Sequence, residues 1–186
     1  KQLGFDTTIV VEKPSELDMI LQEAAKLGVT PGIGVRLRLS TLGAGKWQNS
    51  GGDKAKFGLS PRQVLDLVER LRAAGQLDCL QLLHFHMGSQ ISNLRDIAAG
   101  MREAVRYFVE LSKAGCRIRF MDSGGGLGVD YEGTRSRGAC STNYRLEQFA
   151  HTLIQPLQEA CAAHGLAEPR MITEAGRAMT AHHAMM

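Results

Sequence analysis

An α/β fold built on a parallel sheet is what this sequence predicts, and three observations carry the prediction. Five short aliphatic and β-branched runs alternate with four longer segments of helical period. The short runs are apolar almost throughout, as strands covered on both faces are. Glycine stands where helices should stop, at Gly28, Gly75 and Gly115,. Such an alternation points to right-handed βαβ crossovers and one sheet.

Thr7 to Val11 is the first predicted strand. A helix follows from about Ser15, with Leu17, Ile20, Leu21, Ala24 and Leu27 on one face and Gly28 as its stop,. Ser15 and Asp18 have the spacing of a capping box. Ile33 to Leu39 is the second strand, and a Gly-rich loop leads from it to Gly58. Ser60-Pro61 opens the second helix as N-cap and first helical residue, carried by Val64, Leu65, Val68 and Leu71,. Leu80 to His86 is the third strand. The long third helix places Ile97, Met101, Val105, Phe108 and Val109 on one face. Ile118 to Met121 is the fourth strand, a helix runs from about Arg145 to His164, and Arg170 to Thr173 is the fifth strand. No repeat, low-complexity stretch or linker interrupts this order, so residues 1–186 read as a single domain.

The 186 residues are 44% hydrophobic and 22% charged, the balance of a globular domain with one sizeable core,. A net charge of +3, with lysines and arginines scattered, gives a nucleic-acid or membrane partner no electrostatic support,. Cys79, Cys116, Cys140 and Cys161 form no C-x-x-C pair and read as structural thiols of a reduced, cytoplasmic chain,. No signal peptide and no apolar run of membrane-spanning length is present,. The start at Lys1 and the apolar end Ala184-Met185-Met186 suggest a piece of a longer protein.

In folds of this class the ligand sits at the C-terminal ends of the strands, where loops and helix starts converge. Three groups of residues lie there. Asp122-Ser123-Gly124-Gly125-Gly126-Leu127-Gly128 follows the fourth strand, and its glycines allow either a tight turn or a close backbone approach to a phosphate,. A dinucleotide fingerprint fails because Val129 stands where its last glycine belongs, and Gly45-Lys46-Trp47 lacks the Ser or Thr of a P-loop,. Thr173-Glu174-Ala175-Gly176-Arg177 ends the fifth strand. Its carboxylate and guanidinium can address two ends of one ligand, or simply pair with each other,. His84 and His86 share a strand face, which leaves open a metal site, an interior hydrogen-bonded histidine, or an imidazole stacked on a planar cofactor,. Taken together, these residues describe one ligand, pyridoxal 5'-phosphate: Gly124 to Gly126, Ser89, Gly176 and Arg177 for the phosphate, His86 over the ring, and Glu174 at the ring nitrogen.

At these positions the chain resembles the fold-type III pyridoxal-phosphate-dependent decarboxylases, whose barrel is shared with alanine racemase. The likeness rests on Lys56-Phe57-Gly58, Phe85-His86-Met87-Gly88-Ser89, Asp122 to Gly126 and Glu174-Ala175-Gly176-Arg177. Within the family it is greatest to the branch that acts on arginine. There it rests on Gly45-Lys46-Trp47 with Ser50-Gly51-Gly52, Leu82 to His86, Gly124 to Gly133, Gly176-Arg177-Ala178, and Thr180-Ala181-His182-His183. One departure is Ala175, where the family usually has Pro or Ser.

The resemblance implies a partial (β/α)₈ TIM barrel holding about strands four to eight, with the first strands and a C-terminal β domain lying outside this chain. It implies that His86 and Glu174 are catalytic, and that His86, Ser89, Gly124, Gly125, Gly126, Glu174, Gly176 and Arg177 bind the cofactor. The substrate-binding segment would be Met121, Asp122, Ser123, Gly124, Gly125, Gly126, Leu127, Gly128, Val129, Asp130 and Tyr131. It implies decarboxylation of arginine to agmatine for polyamine synthesis, a magnesium requirement with no ligand set assigned, and a homodimer or larger homo-oligomer. A carboxylate at the ring nitrogen favours decarboxylation, since a protonated ring best accepts the charge left at Cα. The lysine that holds the cofactor covalently belongs to the missing first strand, so this piece alone is expected to be inactive. The rival readings are a decarboxylase for ornithine, lysine or diaminopimelate, a metal-dependent barrel hydrolase using His84 and His86, and a catalytically dead regulatory relative.

Overall fold

In the computed structural model, which describes residues 3–40 and 56–181, five parallel strands lie side by side in chain order. They are β1 (Thr8–Val11), β2 (Gly32–Arg36), β3 (Leu80–His84), β4 (Phe120–Asp122) and β5 (Arg170–Ile172). Helices α1 (Pro14–Leu27), α2 (Pro61–Ala73), α3 (Leu94–Lys113) and α4 (Leu146–His164) make the crossovers, and a short α5 (Gly176–Thr180) follows β5. A parallel sheet in strict chain order is one arc of a (β/α) barrel, as the sequence predicts. The motif residues at 41–55 and His182-His183 lie outside the described residues.

The helices start where side chains can satisfy their first amides. Ser60 accepts from Gln63 N, and Gln63 Oε1 accepts from Ser60 N at 2.9 Å, with Pro61 at the first helical position as expected,. At α1 the cap lies two residues before the predicted one. Pro14 takes the first position, and Glu16 reaches back to the N–H groups of Glu12 and Lys13 at 2.7 and 3.0 Å. The Ser15–Asp18 spacing is present in the sequence but is not used as a cap. Gly28 and Gly165 end α1 and α4 in the left-handed conformation,.

The strands present two different faces. Val11, Val35, Leu83, Phe85 and Met121 are fully buried in one core with Leu17 of α1, Leu71 of α2, Met101 and Phe108 of α3 and Leu157 of α4. Parallel pairing in register makes the other face a second row. Arg36 lies opposite His84, His84 opposite Asp122, and Asp122 opposite Ile172. Glu12, one residue past β1, joins that row through an ion pair with Arg36 at 2.6 Å. The sequence reads the strands as uniformly apolar. In the fold, apolar residues fill the helix-facing side, and charged groups collect at the C-terminal ends of the inner side.

Strand ends differ from the sequence expectation by one to three residues. β2 gives way at Leu37 because Gly58 packs over it, so close that a Cβ on Gly58 would lie 2.9 Å from Arg36 O. β3 leaves the ladder after His84, which frees His86 to turn toward the glycine loop. Cys79, Cys116 and Cys161 are buried, as structural thiols are, Cys140 is exposed, and none of the four forms a disulfide.

Candidate active site

Three strand ends and the loops after them enclose a cleft of about 270 Å³, lined by His86, Ser89, Gln90, Gly125, Gly126, Leu127, Glu174, Ala175 and Arg177. The loop after β4 forms one wall. Its glycines are required by the protein itself. Gly124 has φ 65°, and a Cβ there would lie 2.5 Å from Phe85 O. A Cβ on Gly125 would meet Glu174 O at 2.9 Å. The loop is thus pressed flat between β3 and the end of β5, which the sequence reading as an anion cradle did not require. Its amides are divided. Gly124 N donates to Asp122 Oδ1 at 2.9 Å and Gly125 N to His86 Nδ1 at 3.2 Å. Gly126 N makes no hydrogen bond among the described residues, which leaves one donor for a ligand.

His86 follows β3 and is half-buried. Because Gly125 N donates to Nδ1, that nitrogen carries no proton and Nε2–H is the tautomer present,. Burial, then the positive charge of Arg36, pushes the imidazole below its ordinary pKa, so it is neutral at pH 7,. Arg177 opens α5 and spans the cleft mouth. Its guanidinium donates to Ser89 Oγ at 3.1 Å and Tyr131 Oη at 3.3 Å. The fork is therefore placed by two hydroxyl groups and keeps further N–H groups for an anion.

Glu174 is exposed at the free edge of the sheet, but its carboxyl end turns toward Asp122. Partial burial, then the negative charge of Asp122, raises its pKa. Among the described residues His84, Asp122 and Glu174 form the one group of three whose donor atoms lie within 4.8 Å of each other. Asp122 already accepts from Gly124 N there, so this is a hydrogen-bonded acid cluster. His86 is not part of it, so the metal alternative built on His84 and His86 finds no converging histidine pair. The expected alternative of a Glu174–Arg177 ion pair is not adopted either: the two side chains turn to Asp122 and to Ser89 with Tyr131.

Of the segment expected to meet substrate, Gly125, Gly126 and Leu127 line the cleft. Met121 belongs to the helix-facing core, and Ser123 is buried with its hydroxyl on Ile172 O at 3.3 Å. Gly128, Val129 and Asp130 border a larger apolar cleft of about 560 Å³ between α4 and α5, where Leu146, Ile154 and Met179 are exposed. That cleft holds no cluster of polar groups and is not where the chemistry lies. Asp130 is turned into its own loop, accepting from Ser141 Oγ at 2.6 Å and Arg135 N at 3.2 Å. Gly176 lies beside the cleft at the start of α5, with its N–H on Glu174 O at 2.8 Å.

One residue of the cleft, Gln90, and one of the inner row, Arg36, were not picked out from the sequence. Gln90, at a φ of 52°, exchanges two hydrogen bonds with the Val129 backbone at 2.6 and 2.9 Å and so ties the loop after β3 to the glycine loop. Arg36 stands over the Phe57 ring at 5.1 Å, which gives the Lys56-Phe57-Gly58 motif a place beside the inner row,. A charged residue ending an apolar strand was the available signal for Arg36; Gln90 had none beyond adjacency to Ser89.

Residues 4–181 match the family model described as the pyridoxal binding domain of pyridoxal-dependent decarboxylases. The chain is 67% identical over all 186 residues to a biosynthetic arginine decarboxylase of Xanthomonas campestris pv. campestris. It is 55% identical, again over its whole length, to the one from Neisseria meningitidis serogroup B. It spans 30% of the length of each of these curated relatives. The crystal structure of the biosynthetic arginine decarboxylase from Campylobacter jejuni superposes with a TM-score of 0.79 at 28% identity, covering 95% of this chain and 28% of that one. Diaminopimelate decarboxylase from Helicobacter pylori, in complex with L-lysine, gives 0.75 at 25% identity over 89% of this chain and 39% of that one.

Proposed function

Because the chain belongs to the pyridoxal-dependent decarboxylases, as their pyridoxal binding domain, we propose that its cleft holds pyridoxal 5'-phosphate and that the full-length protein decarboxylates L-arginine to agmatine and CO₂. Agmatine would then feed putrescine and spermidine synthesis. The observation that carries this reading is the lining of one cleft by His86, Ser89, Gly126, Glu174 and Arg177. A guanidinium, a hydroxyl and an uncommitted amide complement a phosphate; a neutral imidazole suits the face of a ring; a carboxylate suits a protonated ring nitrogen.

When bound, the cofactor supplies an electron sink for the charge left at Cα as CO₂ departs. The chain's own residues keep that sink positioned and charged. Glu174 holds a proton at the ring nitrogen. His86, fixed as its neutral tautomer by Gly125 N, packs on the ring without adding charge. Ser89, Gly126 N and Arg177 hold the phosphate, and Gly125, Gly126 and Leu127 form the side of the substrate segment that reaches the cleft. Magnesium does not fit the acid cluster: it demands an oxygen shell, and His84 contributes an imidazole,.

Arginine is favoured as the substrate by the names of the relatives that match this chain from end to end. The same reading takes the protein to be a homodimer or larger homo-oligomer of the cytoplasm. No helix of the described residues is long and apolar enough to cross a membrane. Arg177→Ala is expected to weaken cofactor binding by about 10- to 100-fold, the worth of a charged hydrogen bond of roughly 1.5–3 kcal/mol. Turnover at saturating cofactor should change far less. Absorbance titration of the apoprotein with pyridoxal phosphate measures the first, and steady-state kinetics the second.

The deciding experiment uses the full-length protein expressed with pyridoxal phosphate. Its visible spectrum is recorded and CO₂ release is assayed from arginine, ornithine, lysine and diaminopimelate in parallel. Cofactor absorbance with release from arginine alone is the expected result. Release from another amino acid overturns the substrate and keeps the chemistry, and a protein that holds a metal and no cofactor overturns both.

A further inference from the structure

Two buried ionisable side chains of the inner row, His84 and Asp122, have no role in the scheme above. Building on the proposed placement of Glu174 at the ring nitrogen, we propose that His84 is a positioning residue: by donating to Asp122 it fixes the carboxylate that in turn orients Glu174 and adds a second negative charge beside the ring nitrogen.

The register of the sheet brings His84 and Asp122 together, and the turn after β5 brings in Glu174. His84 ends β3, Asp122 ends β4 directly opposite it, and Glu174 stands two residues past Ile172, the β5 partner of Asp122. His84 and Asp122 share the inner face by register, and the donor atoms of all three residues lie within 4.8 Å of one another. His84 Nδ1 lies 3.2 Å from Asp122 Oδ2, and the two side chains are 10% and 9% exposed. The alignment falls short of a full hydrogen bond, and Nδ1 is buried with no other partner among the described residues. Such an atom is costly unless it donates, and the nearest acceptor is Asp122. The second oxygen of Asp122 is already held by Gly124 N at 2.9 Å, which sets the rotation of the carboxylate.

The charges follow from that arrangement. Burial alone would raise the pKa of Asp122; the His84 contact and the Gly124 N–H outweigh it and leave the group below its ordinary value,. Asp122 therefore carries the standing negative charge. Glu174, pushed up by partial burial and then by that charge, is the member of the pair that takes the proton,. A ring nitrogen held there would face both carboxylates, with Glu174 as the group that shares its proton and Asp122 as the standing charge behind it. The remaining charges that face this cluster are Arg36 from β2, paired with Glu12 beyond β1, and His86 after β3. Removal of the His84 donor allows Asp122 to take a proton. The negative charge near the ring nitrogen then falls by one, and the nitrogen loses its proton more readily.

The test uses full-length protein loaded with ¹⁵N-labelled pyridoxal phosphate, whose ring-nitrogen chemical shift reports protonation independently of turnover. His84→Leu is expected to move that shift toward the unprotonated value and to lower kcat by about 10- to 100-fold, the usual effect of losing an outer hydrogen-bond partner. His84→Asn, which keeps a donor near the Nδ1 position, should restore both. Asp122→Asn, which keeps the shape and removes the charge, should reproduce the loss and carries the test if His84→Leu fails to fold. A wild-type shift and wild-type pH profile in His84→Leu or Asp122→Asn would reduce His84 to packing and overturn the inference alone. A wild-type protein that binds no cofactor would overturn the reading of the cleft, and this inference with it.

Discussion

Glu174→Gln in the full-length enzyme is expected to lower kcat by about 100- to 1,000-fold, the range found when one preorganised electrostatic partner of a developing charge is removed. Glutamine keeps the length and shape of the side chain, and the backbone of Glu174 stays tied through its N–H to Gly124 O at 2.9 Å. The loop should therefore hold its place, and cofactor affinity should stay within about tenfold, because the phosphate contacts through Ser89 and Arg177 are untouched,. What is lost is the negative charge that is proposed to keep the ring nitrogen protonated. Steady-state kinetics with a cofactor titration separate the two effects. Undiminished kcat would show that Glu174 does not face the ring nitrogen.

The second large effect is expected at Gly124. Gly124→Ala places a methyl group 2.5 Å from Phe85 O and 2.9 Å from His86 Nδ1, at a φ of 65° that a side chain disfavours. Left-handed backbone costs about 1–2 kcal/mol for a residue with a Cβ, and an overlap with buried backbone adds about 1–3 kcal/mol. Phe85 directly follows β3 and is fully buried, so its carbonyl cannot give way cheaply and the loop must move. Movement breaks the Gly124 bonds to Asp122 and Glu174 and pulls Gly125 N from His86. Cofactor affinity is expected to fall by about 100-fold, a loss of roughly 2.7 kcal/mol, together with thermal stability. Absorbance titration and a melting curve check the two consequences. An unchanged affinity would mean that the loop does not shape the cleft.

Much of this fold was legible in the sequence because each helix carries its own period, and its start and stop residues are local. Val64, Val68 and Leu71 mark α2 as surely as Pro61 does. Legibility failed where a neighbour in space decides the outcome. The Ser15–Asp18 spacing satisfied the capping pattern, yet α1 starts after Lys13, where Glu16 reaches back to the amides of Glu12 and Lys13. β2 was read three residues too long because Gly58, twenty-two residues beyond Arg36, presses on its end. At the site, Glu174, His86, Ser89 and Arg177 were identifiable as residue types suited to one ligand, and the cleft gathers them. The link between His84 and Asp122 was not, since it arises from the register of β3 against β4, which no local pattern encodes. The glycines were recognised for their lack of Cβ, but the atoms that forbid one belong to the protein's own strands.

The two faces of the sheet divide its residues by parity. At the C-terminal ends of β1 to β4 the positions packed against the helices carry odd numbers, Val11, Val35, Leu83, Phe85 and Met121, and the charged positions of the inner row even ones, Glu12, Arg36, His84 and Asp122. Neighbouring residues on one strand therefore answer to different selective pressures. A change at Leu83 acts first on the packed core, and a change at His84 acts first on the charges beside the cleft. In the history of such a chain, the odd positions can drift only among apolar side chains of similar volume. The even positions are free to be recruited, one charge at a time, to whatever the cleft must hold.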